Sequence, residues 1–147
     1  MSDTTKQDFL PDKVILHCSA SKDYPKDNKA FDLIGAADID AWHKARGWEG
    51  IGYHFVIRQT GVIEHGRDLS VMGAHCKGHN KDTIGVCIIG NGDFNKEQID
   101  ALEDLYHDMN TEFGITWQEW FGHREFTDKK TCPNNSMELV RAFLRLL

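Results

Sequence analysis

IGVCII, at residues 84–89, is a short apolar run with no polar residue inside it. A run of this length and composition is typical of a strand that is buried on both faces at the centre of a sheet. KVILHC, at residues 13–18, reads as a second short buried strand that runs into a polar loop. The sequence therefore predicts a sheet with buried strands, and it places His17 near the end of one of them.

The segments on either side supply a helix and a hairpin. Ile39, Trp42 and His43 recur at helical spacing within residues 36–46, and Gly47 follows as a stop. YHFVIR at 53–58 and VIEH at 62–65 are separated by a short segment that ends in glycine, which predicts two strands joined by a tight turn.

Two further helices are expected toward the end of the chain. Asn95 can cap a helix that runs to about residue 112, with Gly114 near its end and with an apolar face that includes Ile99 and Leu102. A last helix follows residue 135 and carries Met137, Leu139 and other apolar residues. The prediction is an α/β fold: a single domain with a central mixed β-sheet flanked by about three helices. It spans residues 12–147, and residues 1–11 form a flexible N-terminal tail.

Composition narrows the function. The net charge of −6 and the absence of a basic run longer than Lys129-Lys130 argue against a nucleic-acid partner. The chain has no apolar run long enough to span a membrane and no signal-peptide pattern at its start, so residence in the cytoplasm is expected. The four cysteines lack CxxC spacing and are expected as thiols or as metal-bound thiolates. We expect a monomer.

The candidate metal ligands are His17, at a strand end, and His123 and Cys132, in one late loop. Two imidazoles and a thiolate suit one Zn²⁺ ion per chain and leave one coordination position open, as in a catalytic site. Taken singly, each of these residues is more often a packed core residue than a ligand, so their chemistry alone does not decide.

Several motifs along the chain resemble the zinc-dependent N-acetylmuramoyl-L-alanine amidases, the family that amidase-type phage lysozymes (endolysins) share with peptidoglycan recognition proteins. In chain order the motifs are HCSAS at 17–21, WHKARGW at 42–48, GYHFVI at 52–57, GVIEHGR at 61–67, GAH at 73–75, IGV at 84–86 and KTCP at 130–133. They cover nearly the whole predicted domain. The loop 123–132 departs from the pattern, because it is about one residue longer than in the nearest relatives.

The resemblance implies a function and roles for single residues. It implies an endolysin that uses a zinc-activated water to cleave the amide bond between N-acetylmuramic acid and L-alanine in bacterial peptidoglycan, which causes lysis of the host cell wall. His17, His123 and Cys132 then bind zinc, and Tyr53 and Lys130 are catalytic. His75 is expected to bind substrate at the rim of the cleft. Such an enzyme stays in the host cytoplasm until it is released to the cell wall at lysis.

Four other interpretations remain open. Proteins of this fold that lack the zinc ligands bind peptidoglycan fragments without cleaving them. The phage lysozymes that this chain resembles also bind and inhibit the RNA polymerase of their phage. Cys132 and His123 can instead form the nucleophile and base of a cysteine peptidase, which needs no zinc. A structural zinc site is the fourth, but such a site normally has four protein ligands.

Overall fold

The computed structural model describes residues 10–147, in which five strands form one mixed sheet. In chain order the strands are β1 (Lys13–Cys18), β2 (Phe55–Ile57), β3 (Ile63–His65), β4 (Thr83–Ile88) and β5 (Trp120–Gly122). They lie in the order β3-β2-β4-β1-β5. All neighbouring pairs are parallel except β2 and β3, which form an antiparallel hairpin. The predicted mixed sheet is confirmed, and β1 and β4 lie at its centre.

Three helices flank the sheet, as expected: α1 (Ala36–Ala45), α2 (Lys96–Phe113) and α3 (Met137–Arg145). Side chains alternate between the two faces of a strand. Val14, Leu16 and the even-numbered residues of β4 pack with α2 and α3, whereas Val56 and Cys87 pack with Ile39 of α1 on the opposite face. The larger apolar cluster therefore lies on the α2 and α3 face, which leaves the α1 face for polar side chains.

Local sequence explains where α2 begins and ends. Asn95 accepts a hydrogen bond from the backbone N–H of Gln98, and the Gln98 side chain accepts one from the backbone N–H of Asn95. This reciprocal pair satisfies two N–H groups that the first turn leaves unpaired. Gly114 ends the helix with a left-handed backbone, φ 69°. Both ends of the helix agree with the prediction from these residues.

The β2–β3 hairpin turns at Gly61, which has φ 87°. A Cβ at this position would lie 2.6 Å from the backbone oxygen of Glu97, so both backbone conformation and space require glycine. The turn thus also sets how closely the hairpin approaches the start of α2.

Some expectations do not match the structure. Strand β5 was not predicted, because three residues are too few to show a period. Ile99 and Leu139, expected on the apolar faces of their helices, are 40% and 73% exposed. The predicted tail, residues 1–11, lies outside the described residues except for Leu10 and Pro11. Within residues 10–147, no helix is long and apolar enough to cross a bilayer.

Replacing Leu105 tests the main core. Leu105 is 2% exposed on α2, and Leu105→Ala should lower the free energy of unfolding by about 2–5 kcal/mol through lost burial and a residual cavity. Leu139→Ala, at an exposed position of α3, is the matched control and should change it by less than about 0.5 kcal/mol. Urea denaturation measures both, and equal effects would contradict the assignment of the core.

Candidate active site

The parallel pairing of β1 with β5 brings two of the predicted metal ligands together. Leu16 lies opposite Gly122 in the register, and each of these two residues is followed directly by a histidine. His17 and His123 therefore become neighbours, with ring centroids 4.5 Å apart. This edge of the sheet, on the α1 side, is where the predicted site residues meet.

His17, Tyr53, His123, Lys130 and Cys132 all line one cavity of about 210 Å³. These are the three predicted zinc ligands and the two predicted catalytic residues. They come from β1, from the residue two positions before β2, and from the loop after β5. The structure thus brings together side chains that are up to 115 positions apart in the sequence.

His17 is the most deeply buried of these side chains, at 1% exposure. Burial lowers the pKa of His17 well below its ordinary value, and His75, His123 and Lys130 lower it further. Burial, together with the charge of Lys130, also lowers the pKa of His123. Both rings are consequently neutral at pH 7, and a neutral imidazole has one nitrogen lone pair available to bind a metal.

Cys132 lies beside a second thiol. Its Sγ atom is 3.2 Å from Sγ of Cys18, the residue that follows His17. A hydrogen bond from the Cys18 thiol and the charge of Lys130 lower the pKa of Cys132 to about 6, against the opposing effect of burial. The pKa of Cys18 moves upward because its thiol is held protonated as the donor. The Cys18 thiol and the Lys130 charge thus favour the thiolate of Cys132, the form that binds metals.

Tyr53, just before β2, and Lys130, in the loop after β5, line the same cavity. The Tyr53 ring centroid is 5.0 Å from that of His17. Burial raises the pKa of the Tyr53 phenol well above its ordinary value, so the hydroxyl is a proton donor at neutral pH. Lys130 is exposed at the cavity rim, and its charge lowers the pKa of both Cys132 and His123.

Four side chains of the α1 region also line the cavity, although the sequence did not assign them to the site: Ile39, Trp42, His43 and Arg46. Trp42 is 44% exposed. His43 accepts a hydrogen bond from the backbone N–H of Gly52 at 3.0 Å, so it also anchors the segment that leads to Tyr53. The motif WHKARGW, at residues 42–48, was the sequence signal that could have identified Trp42, His43 and Arg46.

A wider groove of about 460 Å³ adjoins this cavity and shares His43, Arg46, Tyr53, His123 and Lys130 with it. Trp48 and the loop 74–78 form its other wall. His75, the predicted substrate contact, lines this groove but is only 8% exposed. Both of its ring nitrogens have partners within the protein, so substrate contact by His75 stays a prediction.

The donor set fits zinc in its chemistry, since two neutral imidazoles and a thiolate line one cavity. As they stand, no three His, Cys, Asp or Glu side chains within residues 10–147 converge as metal ligands. Sγ of Cys132 contacts Sγ of Cys18. Zinc binding at this site therefore remains a proposal.

Comparisons with known protein sequences identify the family. Residues 6–135 match a family model described as N-acetylmuramoyl-L-alanine amidase. The chain is 34% identical to the endolysin of Klebsiella phage KP32 over 130 residues, which are 83% of this chain and 80% of that protein. It is 43% identical to the endolysin of Escherichia phage T7 over 96 residues, which are 65% of this chain and 58% of that protein.

Solved structures show the same fold. The N-acetylmuramoyl-L-alanine amidase LysC from Clostridium intestinale URNW superposes with a TM-score of 0.78 at 29% identity, covering 93% of this chain and 87% of LysC. Peptidoglycan recognition proteins of Drosophila also match, in sequence and in structure. The predicted relationship to both groups is confirmed.

Alkylation of Cys132 tests the interaction between the two thiols. In metal-free protein, the Cys132 alkylation rate should rise with pH and reach half its maximum at about pH 6, because the thiolate is the reactive form. In Cys18→Ala the midpoint should move toward the ordinary thiol value of about 8.5. Mass spectrometry of the Cys132 peptide after iodoacetamide treatment measures both, and an unchanged midpoint would show that Cys18 does not stabilise the thiolate.

Proposed function

The chain belongs to the N-acetylmuramoyl-L-alanine amidase family, and on this premise we propose that it is a zinc-dependent endolysin. Family membership supports a peptidoglycan amidase function. The bond cleaved in this proposal is the amide between N-acetylmuramic acid and L-alanine. One observation carries it: all five residues predicted as ligands or catalysts line a single cavity.

His17, His123 and Cys132 would hold the metal in this proposal. Burial keeps the two imidazoles neutral, and the neighbouring Cys18 and Lys130 favour the Cys132 thiolate, so all three are in the protonation states that zinc requires. A zinc ion with three protein ligands supplies Lewis-acid activation of the amide and of water at neutral pH.

Lys130 and Tyr53 supply the remaining chemistry. Attack on an amide carbonyl places negative charge on its oxygen, and the Lys130 ammonium at the cavity rim is positioned to stabilise that charge. The Tyr53 phenol, which is protonated at neutral pH, can donate a proton to the leaving nitrogen or orient the attacking water. The adjoining groove, with Trp48 and Arg46 along it, offers an aromatic surface and a cation to the glycan or peptide of a polymeric substrate.

Two alternative functions predict different outcomes. A recognition protein would bind peptidoglycan and leave it intact, but this chain retains all three candidate ligands. A peptidase with Cys132 as nucleophile would need His123 as its base, and the Cys132 thiol contacts Cys18 instead. The proposal of a metal-dependent hydrolase is supported instead by family membership and by the presence of the three candidate ligands in one cavity.

Three further expectations remain proposals. The protein stays in the host cytoplasm until it is released to the cell wall at lysis, and it acts as a monomer. Binding to phage RNA polymerase is likewise a prediction from the resemblance.

The reaction and its metal requirement can be tested together. Purified protein incubated with peptidoglycan should release stem peptides that begin with L-alanine, identified by mass spectrometry. A chelator should abolish release, and added zinc should restore it, because the proposed hydrolysis requires the metal to activate water and the amide carbonyl. Intact peptidoglycan despite stoichiometric zinc would indicate a recognition function, and chelator-resistant hydrolysis would indicate the peptidase.

Ligand variants test the metal site. His17→Ala, His123→Ala and Cys132→Ala should each abolish hydrolysis and lower the zinc content of the purified protein, because each removes one of three ligands. His107→Ala, at an exposed position of α2, is the matched control and should retain both. Normal activity with stoichiometric zinc in Cys132→Ala would overturn the assignment.

Lys130→Ala and Tyr53→Phe should separate catalysis from metal binding. Both variants should stay folded and retain bound zinc, because neither side chain is a proposed ligand. Lys130→Ala should lower the zinc affinity only moderately, because it removes a charge that favours the Cys132 thiolate but no ligand. Loss of oxyanion stabilisation in Lys130→Ala should lower kcat about 10²–10³-fold. Loss of the Tyr53 hydroxyl should lower it about 10²–10⁴-fold. Steady-state kinetics and zinc analysis measure these effects, and loss of zinc in either variant would contradict a purely catalytic role for that residue.

A further inference from the structure

A chain of hydrogen bonds runs from the sheet to the predicted ligand His17. Nε2 of His17 lies 2.9 Å from Nδ1 of His75, and Nε2 of His75 lies 3.2 Å from Oγ1 of Thr83. All three side chains are buried, at 1%, 8% and 4% exposure. Both nitrogens of the His75 ring are therefore used within the protein.

The direction of these hydrogen bonds follows from the single proton of the Thr83 hydroxyl. Oγ1 of Thr83 lies 2.7 Å from the carbonyl oxygen of His79, which can only accept, so the hydroxyl donates there. Thr83 can then only accept from His75, which puts the proton of the neutral His75 ring on Nε2. Nδ1 of His75 is left as an acceptor, so His17 must donate from Nε2.

This direction leaves Nδ1 as the only nitrogen of His17 with a free lone pair. We propose that His75 is a positioning residue for the active site: it holds the His17 ring in the orientation and tautomer in which Nδ1 is available as a metal ligand. A metal-binding histidine commonly donates its other ring N–H to such a partner. The inference rests on the proposed zinc site and adds a role for His75 beyond the predicted substrate contact.

The structure holds His75 rigidly enough for this role. Oδ1 of Asn80 accepts hydrogen bonds from the backbone N–H groups of His75 and Cys76, at 2.8 and 2.9 Å. The ring lies against two glycines, since a Cβ would meet it at 2.5 Å from Gly85 and at 2.6 Å from Gly73. Any larger residue at either position would displace the ring, so the backbone itself is shaped around the ring of His75.

The first experiment examines the hydrogen bond in metal-free, full-length protein. A ¹⁵N–¹⁵N scalar coupling across the bond between the His17 and His75 rings should be detectable by NMR, with the proton on Nε2 of His17. A proton on Nδ1 of His17 would overturn the proposal. This measurement does not depend on zinc or on amidase activity, so it stays informative if the proposed function fails.

The second experiment measures zinc affinity by competition with a chelator. His75→Leu removes the acceptor while nearly conserving volume and should weaken zinc binding about 10–100-fold. His75→Asn, whose Oδ1 can replace Nδ1 as acceptor, should recover most of the loss, and Thr83→Val should give a smaller loss. His107→Leu is the matched control and should bind zinc as the unchanged protein does.

The outcomes separate positioning from substrate contact. Unchanged zinc affinity in both His75→Leu and Thr83→Val, with a raised KM in His75→Leu, would overturn the proposal in favour of the predicted substrate contact. If Cys132→Ala also binds zinc normally, the proposed metal site fails, and the NMR coupling alone then decides the hydrogen bond. Urea denaturation of His75→Leu and Thr83→Val shows whether each variant is folded at the assay temperature.

Discussion

The parallel pairing of β1 with β4 and β5 is the constraint on which the rest of the structure depends. Parallel strands end at the same edge of a sheet, so the register that aligns Leu16 with Gly122 also brings His17 beside His123. Pairing with β4 places Cys87 beside His17 and directs both toward the α1 face. The same backbone hydrogen bonds that hold the sheet therefore bring the two histidines of the site together.

The two faces of the sheet differ in the side chains that they bury. On one face, α2 and α3 cover a continuous apolar cluster around Trp120 and Leu105, which supplies most of the burial that stabilises the fold. On the other face the apolar cluster is smaller, and buried polar groups take its place next to the cavity. Burial of His17 and His75 is tolerated there because three of their four ring nitrogens have hydrogen-bond partners. The fourth, Nδ1 of His17, is the nitrogen proposed as a metal ligand.

Burial and nearby charges shift the pKa values of the histidine and cysteine side chains in the cavity. Burial keeps the imidazoles uncharged, whereas Cys18 and Lys130 favour the charged form of Cys132. The cavity therefore combines two neutral nitrogen donors, a thiol group whose ionised form is favoured, and the Lys130 side chain, and it continues into the adjoining groove. Family membership and this arrangement both support the proposed amidase function.

Much of the fold could be predicted from sequence because its elements carry local patterns. Apolar runs marked β1 and β4, Asn95 and Gly114 marked the ends of α2, and a glycine turn marked the hairpin. The motifs around His17, Tyr53, His75 and Cys132 indicated the family, which the comparisons confirm, and they suggested the candidate site residues. Tertiary structure alone decided β5, the exposure of Ile99 and Leu139, and the contacts between Cys18 and Cys132 and between His17 and His75. The physical reason is that a three-residue strand exists only through its partner, and contacts between residues 58 or 114 positions apart depend on strand register, which no local pattern encodes.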